Sequence, residues 1–270
     1  MLETRNLTVR FGGHVAVDDV SARFLPGTLT AVVGPNGAGK TTWFNLISGQ
    51  LAASAGSVWL NGSDITRLGP AARMHAGLGR AFQLTQLFPG LTVHENVRLA
   101  LQSRAAGQGL RSLNLWRMWR DDAALMRRAH DLLEQVRLAG RHDDLARDLP
   151  HGDQRKLEVA MLLALDPDVF MFDEPTAGMS VDEVPVVLDL IRQLKRLSGK
   201  VVLLVEHKMD VVRELADRIV VLHNGRLVAD GEPASVIASP VVQQAYLGTA
   251  LPAPSPSCRA ARDALLAEAT

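Results

Sequence analysis

The chain has 270 residues, 47% of them hydrophobic and 21% charged, enough to bury one large core or a core with a subdomain. Its 29 basic and 29 acidic residues cancel, so the charge excess typical of a nucleic-acid-binding protein is absent, and no nucleic acid is expected as a partner. A single cysteine, Cys258, excludes an internal disulfide and fits a reducing compartment. The opening MLETRNLTVRFGG lacks an apolar signal core, and no stretch reaches the ~18 uninterrupted apolar residues of a membrane span. The expectation is a soluble chain whose role at a membrane would need a partner.

Residues 2–33 read as short strands and turns ending in LTAVVG (29–34), a continuous apolar run suited to a buried strand. A glycine-rich turn follows, then a helix over TTWFNLISG (41–49) that stops at Gly49, and SVWLNGSDI (57–65) reads as a hairpin around Asn61-Gly62. From about 85 to 165 the pattern turns helical, in HENVRLALQSR, DDAALMRRAHDLLEQVRLAG and DQRKLEVAMLLAL. Within it, GQGLRSLNLWRMWR (107–120) reads as a loop entering a helix, with Trp116 and Trp119 at helical spacing and packing against the subdomain. The α/β pattern then returns. DVFMF (168–172) and KVVLLVEH (200–207) read as buried strands, EVPVVLDLIRQLKRL as a helix, and RIVVLHNGRLVADG (218–231) as a hairpin on Asn224-Gly225. The Pro/Ser/Ala-rich tail, residues 251–270, is expected to be mobile.

Two motifs carry chemistry. GPNGAGKT (34–41) fits G-x-x-x-x-G-K-[ST] and lies between a buried strand and a helix, where a phosphate loop must lie. Gly37 and Gly39 let the backbone curl so that several N–H groups face one anion, and the next helix adds its positive end. Lys40 can reach the β- and γ-phosphates, and the Thr41 hydroxyl can ligate Mg²⁺. DVFMFDEPTAG sets Asp173 and Glu174 at the end of an apolar strand, the edge at which α/β sheets bind ligands. Asp173 suits a Mg²⁺ shell, and Glu174 can polarise a water for attack on the γ-phosphate.

Together these motifs resemble the nucleotide-binding subunit of an ATP-binding-cassette (ABC) transporter, over residues 1 to about 250. GPNGAGKT resembles the Walker A loop and VFMFDEP the Walker B strand with its catalytic glutamate. AFQ, ending at Gln83, resembles the Q-loop that touches Mg²⁺ and senses the membrane partner. His207 resembles the switch histidine at the γ-phosphate, and Phe11 the aromatic residue that stacks on adenine. The resemblance implies an α/β fold: a P-loop NTPase core with a β-rich antiparallel subdomain and an inserted α-helical subdomain at about 85–165. It implies ATP and Mg²⁺ as cofactors. Nucleotide would contact Phe11, Asn36, Gly37, Ala38, Gly39, Lys40, Thr41 and Thr42, with metal at Thr41, Gln83 and Asp173, and catalysis by Glu174 and His207.

TTWFNLISG, GLGRAFQLTQLFPGLTVHENV and PVVQQAYLG further resemble the ATPases of branched-chain amino-acid, urea and amide importers. That resemblance implies a peripheral subunit on the cytoplasmic face of the cell membrane. Its partners would be integral-membrane permease subunits, a second ATPase subunit (an identical copy or a paralogue) and, indirectly, an extracytoplasmic solute-binding protein. Two other readings stay open on sequence: an ABC-type ATPase not coupled to transport, and a weakly hydrolysing regulatory subunit.

The family signature, LSGGQ, caps the ATP of the opposite subunit. Here the aligned residues are Leu149, Pro150, His151, Gly152 and Asp153. Pro150 removes a hydroxyl and an N–H. Losing one hydrogen bond to a charged group, worth about 1.5–3 kcal/mol, weakens nucleotide-driven closure roughly ten- to hundredfold. His151 keeps its N–H, Gly152 is retained, and the helix end still offers donors to an anion. The resemblance leans Asp153 toward the ribose, where a carboxylate can accept hydroxyl hydrogen bonds. Ser180 stands where the family's D-loop ends in aspartate.

Overall fold

A computed structural model of the chain describes residues 1–81, 87–107, 123–196 and 199–247. Gln83, the insertion carrying Trp116 and Trp119, and the 251–270 tail lie outside the described residues. In chain order the elements are β1 (Leu2–Phe11), β2 (His14–Phe24), β3 (Leu29–Val33), α1 (Lys40–Ser48), β4 (Ala55–Leu60) and β5 (Ser63–Asp64). Next come α2 (Pro70–His75), β6 (Leu78–Ala81), α3 (Val93–Gly107), α4 (Ala123–Gln135), α5 (His151–Leu165), β7 (Val169–Asp173) and α6 (Val184–Lys195). The chain then runs through β8 (Val201–Val205), α7 (Met209–Leu215), β9 (Arg218–His223), β10 (Arg226–Gly231), α8 (Pro233–Ala238) and α9 (Pro240–Leu247). Two compact units result, one from Met1–Pro70 with the chain from Val201 onward, the other from Ala71–Lys200.

In the first unit, β2-β1-β4-β5 form an antiparallel sheet, with both the β1–β2 turn and the Asn61-Gly62 turn closing hairpins. A second set runs β10-β9-β3-β8, with β8 and β9 parallel to β3 and only β10 antiparallel. Every residue of β3 and β8 is buried, which is why both read as unbroken apolar runs and not as alternating ones. Alternate residues face one side: Ala31 and Val33 of β3 and Ile219 and Val221 of β9 pack with Val212 of α7, Val236 of α8 and Val242 of α9. Helix α1 buries Trp43, Phe44 and Ile47 completely and ends as expected at Gly49, whose φ of 79° only glycine adopts readily. The Trp43 ring meets Phe24 of β2 at 5.8 Å between centroids.

In the second unit β6 and β7 pair in parallel, from Leu78 beside Val169 to Ala81 beside Phe172. Helices α3, α4 and α5 pack on one another. The start of α3 is a capping box: Thr92 N–H donates to the Glu95 carboxylate (2.9 Å), and Glu95 N–H to the Thr92 hydroxyl (3.2 Å). Asn96, fully buried, holds the preceding turn by accepting from Phe88 N–H at 2.8 Å and donating to the Phe88 and Thr92 carbonyls. At the other end of α5, Asp166 adopts a left-handed φ of 46°, and its carboxylate meets Lys200 (2.9 Å) and Arg104 (2.5 Å).

The Trp43 indole N–H is buried without an acceptor among the described residues. Trp43→Ala is therefore expected to cost about 3–5 kcal/mol of stability. Trp43→Phe, which removes an unsatisfied donor along with some volume, should cost only about 1 kcal/mol. Denaturant unfolding of the two variants measures the contrast.

Candidate functional site

The phosphate loop leaves β3 at its carboxyl end and enters α1. Gly34, Gly37 and Gly39 have φ of 150°, 79° and 97°. Two of them are needed for closeness as well as for conformation. A Cβ at 34 would strike the Leu222 carbonyl of β9, and one at 39 would lie 2.6 Å from the Ala16 carbonyl of β2. The Asn224-Gly225 turn presses on the same place, since a Cβ at 225 would lie 2.7 Å from Ala16 O. Gly225 N–H donates to Ala38 O (3.0 Å), Asp18 N–H donates to Gly225 O (2.8 Å), and Arg226 pairs with Asp18 at 2.6 Å. So β2 and the β9–β10 turn brace the loop from outside.

At Gly39, the N-cap of α1, no side chain caps the helix, and its first turn carries no acid. The positive helix end is thus left for an anion. Asn36, Gly37 and Thr41 are exposed there, Thr42 and Gly39 are partly so, and Ala38 is packed beneath. Lys40 is buried and folds back on the loop, its Nζ donating to Gly34 O (2.7 Å) and Pro35 O (3.0 Å).

His207 follows β8. Because Val32 of β3 pairs with Val205 of β8, His207 sits at the same edge as the loop. Its ring is exposed, and its N–H is anchored on the buried Glu206 carboxylate (3.1 Å), which also receives Lys208 N–H (3.3 Å). Phe11, half-exposed, ends β1 opposite His14, on the hairpin whose second strand carries Ala16.

In the second unit Asp173 ends β7 and is buried, and Glu174 follows with a left-handed φ of 52°. A glutamate in that region is uncommon and carries backbone strain of the kind that collects at functional positions. The Asp173 carboxylate accepts a hydrogen bond from Arg80 on β6, Nη2 to Oδ2, at 2.6 Å, with both side chains more than nine-tenths buried. Burial lowers the Arg80 guanidinium from its ordinary value, and the hydrogen bond and charge of Asp173 oppose that shift. Sequence reading passes over Arg80, although a lone charge in an apolar parallel strand signals a buried partner. The Asp173 carboxylate is a hard oxygen donor of the kind that suits Mg²⁺. Among the described residues no cluster of three or more His, Cys, Asp or Glu could cage a metal by itself.

The signature residues open α5. Pro150 is its N-cap, with no side-chain cap bond. His151 is exposed, while Gly152 and Asp153 are buried. The ribose-side role expected for Asp153 meets a carboxylate already engaged within the chain. Its Oδ1 lies 2.7 Å from Lys156 Nζ, and its Oδ2 3.5 Å from Arg141 Nε. Ser180 likewise bonds within the chain: its N–H (3.1 Å) and hydroxyl (2.9 Å) both donate to Glu183, forming an S-x-x-E cap ahead of α6.

These geometries define an ATP-binding cassette. The ABC transporter family matches residues 17–177, and the chain belongs to it. It is an ATP-binding, ATP-hydrolysing subunit of that family. Among curated relatives, the chain is 35% identical over 252 residues to the "High-affinity branched-chain amino acid transport ATP-binding protein LivG" of Escherichia coli, covering 93% of this chain and 98% of the relative. It is 36% identical over 251 residues to the corresponding BraF protein of Pseudomonas aeruginosa, with the same coverage. Among solved structures it is similar to an ATP-binding cassette of an ABC transporter in its ADP conformation, at a TM-score of 0.76 and 30% identity. That match covers 92% of this chain and 98% of the other.

Two predictions follow from the packing. Gly225→Ala is expected to cost at least about 1–2 kcal/mol from its left-handed backbone alone. It should also weaken ATP binding, because Ala16 and the loop must shift; calorimetric titration of the variant with ATP checks this. Arg80→Met is expected to destabilise by about 3–5 kcal/mol, because it strands a buried carboxylate. The Arg80→Met/Asp173→Asn double variant should recover most of that loss in denaturant unfolding.

Proposed function

We propose that this subunit couples hydrolysis of Mg·ATP to import of a small polar solute, with branched-chain amino acids as the transported class. The observation that carries the reading is the identity to LivG and BraF along nearly the whole of both chains. No described helix is long and apolar enough to cross a membrane, and integral-membrane permease subunits form the solute's path in this reading. The subunit sits peripherally at the cytoplasmic face of the cell membrane, paired with a second ATPase subunit. An extracytoplasmic binding protein delivers the solute.

In this mechanism the N–H groups of the 34–41 loop and the start of α1 receive the phosphates. Lys40 exchanges its two loop carbonyls for phosphate oxygens. Phe11 stacks on the base, and His207 donates to the γ-phosphate. Thr41, Asp173 and Gln83 would hold Mg²⁺, which would supply charge neutralisation at the phosphates when bound. Glu174, turned by its left-handed backbone, orients and deprotonates the attacking water. His151, Gly152 and Asp153 approach the ATP of the opposite subunit.

In the complex assembled with its permeases, leucine-loaded binding protein is expected to stimulate ATP turnover. Stimulation by urea or a short amide but not by leucine would move the substrate class. Glu174→Gln should lower steady-state hydrolysis by about 10²-fold or more, as loss of a general base does, and should trap an ATP-bound dimer detectable by size-exclusion chromatography. Undiminished turnover would remove Glu174 from the role.

A further inference from the structure

Two positions at which the chain leaves its family's pattern, Asp153 and Ser180, lie on different elements, yet one set of charges joins them. Lys156, buried on α5, has its Nζ 2.7 Å from Asp153 Oδ1 on its own helix. The same ammonium lies 3.5 Å from Glu183 Oε1, ahead of α6. The other oxygen of Glu183, Oε2, takes both the N–H and the hydroxyl of Ser180. At the far end Asp153 Oδ2 faces Arg141. The order is Arg141, Asp153, Lys156, Glu183, Ser180, with two cations and two anions alternating.

Gly152 makes this possible. A Cβ there would collide with the Glu183 carboxylate, so the glycine admits that carboxylate to the first turn of α5. A side chain at 152 would displace only the flexible end of Glu183, so what the glycine preserves is this contact. The carboxylate also lies at the end of the helix where aligned peptide dipoles favour negative charge.

We propose that Lys156 is a positioning residue that ties the start of α5 to the turn ahead of α6, so that the signature residues His151–Asp153 and Ser180 are held as one body. Without its ammonium, Asp153 keeps Arg141, but Glu183 has no other cation among the described residues to draw it against Gly152, and the two carboxylates repel. The Glu183 carboxyl lies below its ordinary value. The Ser180 N–H is the chief cause, followed by the Ser180 hydroxyl and Lys156, against a smaller opposing effect of burial than that of the N–H. Tethering is a structural property of the chain, whereas its consequence for ATP turnover rests on the function proposed above.

The test uses the full chain and its assembled complex. Lys156→Met keeps the length of the side chain and removes its charge. Amide exchange in segment 178–184 is expected to rise about two- to fivefold, with segment 34–45 unchanged and binding of a fluorescent ATP analogue within about twofold of wild type. In the assembled complex kcat should fall at unchanged KM, and Lys156→Arg should restore both exchange and kcat. Glu183→Gln, which removes the charge at the other end, should raise exchange in the same segment and decides the matter if Lys156→Met does not fold. Unchanged exchange in 178–184, a rise spread evenly over the chain, or failure of arginine to rescue would overturn the proposal. A wild-type chain without ATP turnover would instead overturn the proposed function, while the exchange measurements still decide the tether.

Discussion

The phosphate loop depends on how closely two foreign stretches of backbone approach it. The carbonyls of Leu222 and Ala16 occupy the space that side chains at 34, 39 and 225 would fill. Glycine is required there for absence of a Cβ as well as for a positive φ. Three backbone segments therefore lock together: the loop, β2, and the turn between β9 and β10. The hydrogen bonds from Gly225 to Ala38 and from Asp18 to Gly225 fix their register. A loop braced this way presents its N–H groups in one arrangement before any anion arrives, and that preorganisation is what makes electrostatic stabilisation effective. In the proposed mechanism the residue that changes on binding is Lys40, whose ammonium donates to the carbonyls of Gly34 and Pro35. Those bonds keep a buried cation from being stranded and define what a phosphate must replace.

The acidic strand end solves the same problem with the opposite sign. Asp173 is buried at the end of β7, where an unpaired carboxylate would be costly, and Arg80 on the neighbouring strand compensates it. The guanidinium holds one oxygen of Asp173, and the pair stays neutral as a unit. Glu174, one residue on, is only partly buried and bears the backbone strain. The division suits the proposed chemistry: a fixed, compensated carboxylate beside an adjustable one.

Much of this was legible in the residues. The parallel strands announce themselves as unbroken apolar runs, the hairpins as Asn-Gly, and α1 by its glycines on either side. The loop and acidic motifs fall at the strand ends expected of them. What escaped sequence reading are contacts between elements distant in the chain. Arg80 and Asp173 are 93 residues apart, and only the pairing of β6 with β7 brings them together. Gly225 reads as an ordinary turn glycine, and nothing local reveals that its turn packs on the phosphate loop. The i, i+3 spacings of Asp153 with Lys156 and of Ser180 with Glu183 are visible in sequence. The bridge between the two pairs is not, because it depends on the approach of Glu183 to Gly152.

That bridge changes the meaning of a carboxylate in the signature. A bare carboxylate one helical turn, ~5.4 Å, from a phosphate charge would cost about 3 kcal/mol at an effective dielectric of ~20. Asp153 is not bare: Lys156 at 2.7 Å and Arg141 at 3.5 Å are both closer to it than such a phosphate would be. With Arg141, Lys156 and Glu183 counted beside Asp153, two positive and two negative charges surround the start of α5, so the field at the N–H groups of His151 and Gly152 is not set by Asp153 alone. Under the proposed function Pro150, which offers neither a hydroxyl nor an N–H, would leave the phosphate to those backbone donors. Under the proposed function the signature would work less through its own side chains than through how firmly its helix start is held, and the proposed tether from Lys156 to Glu183 would supply that firmness.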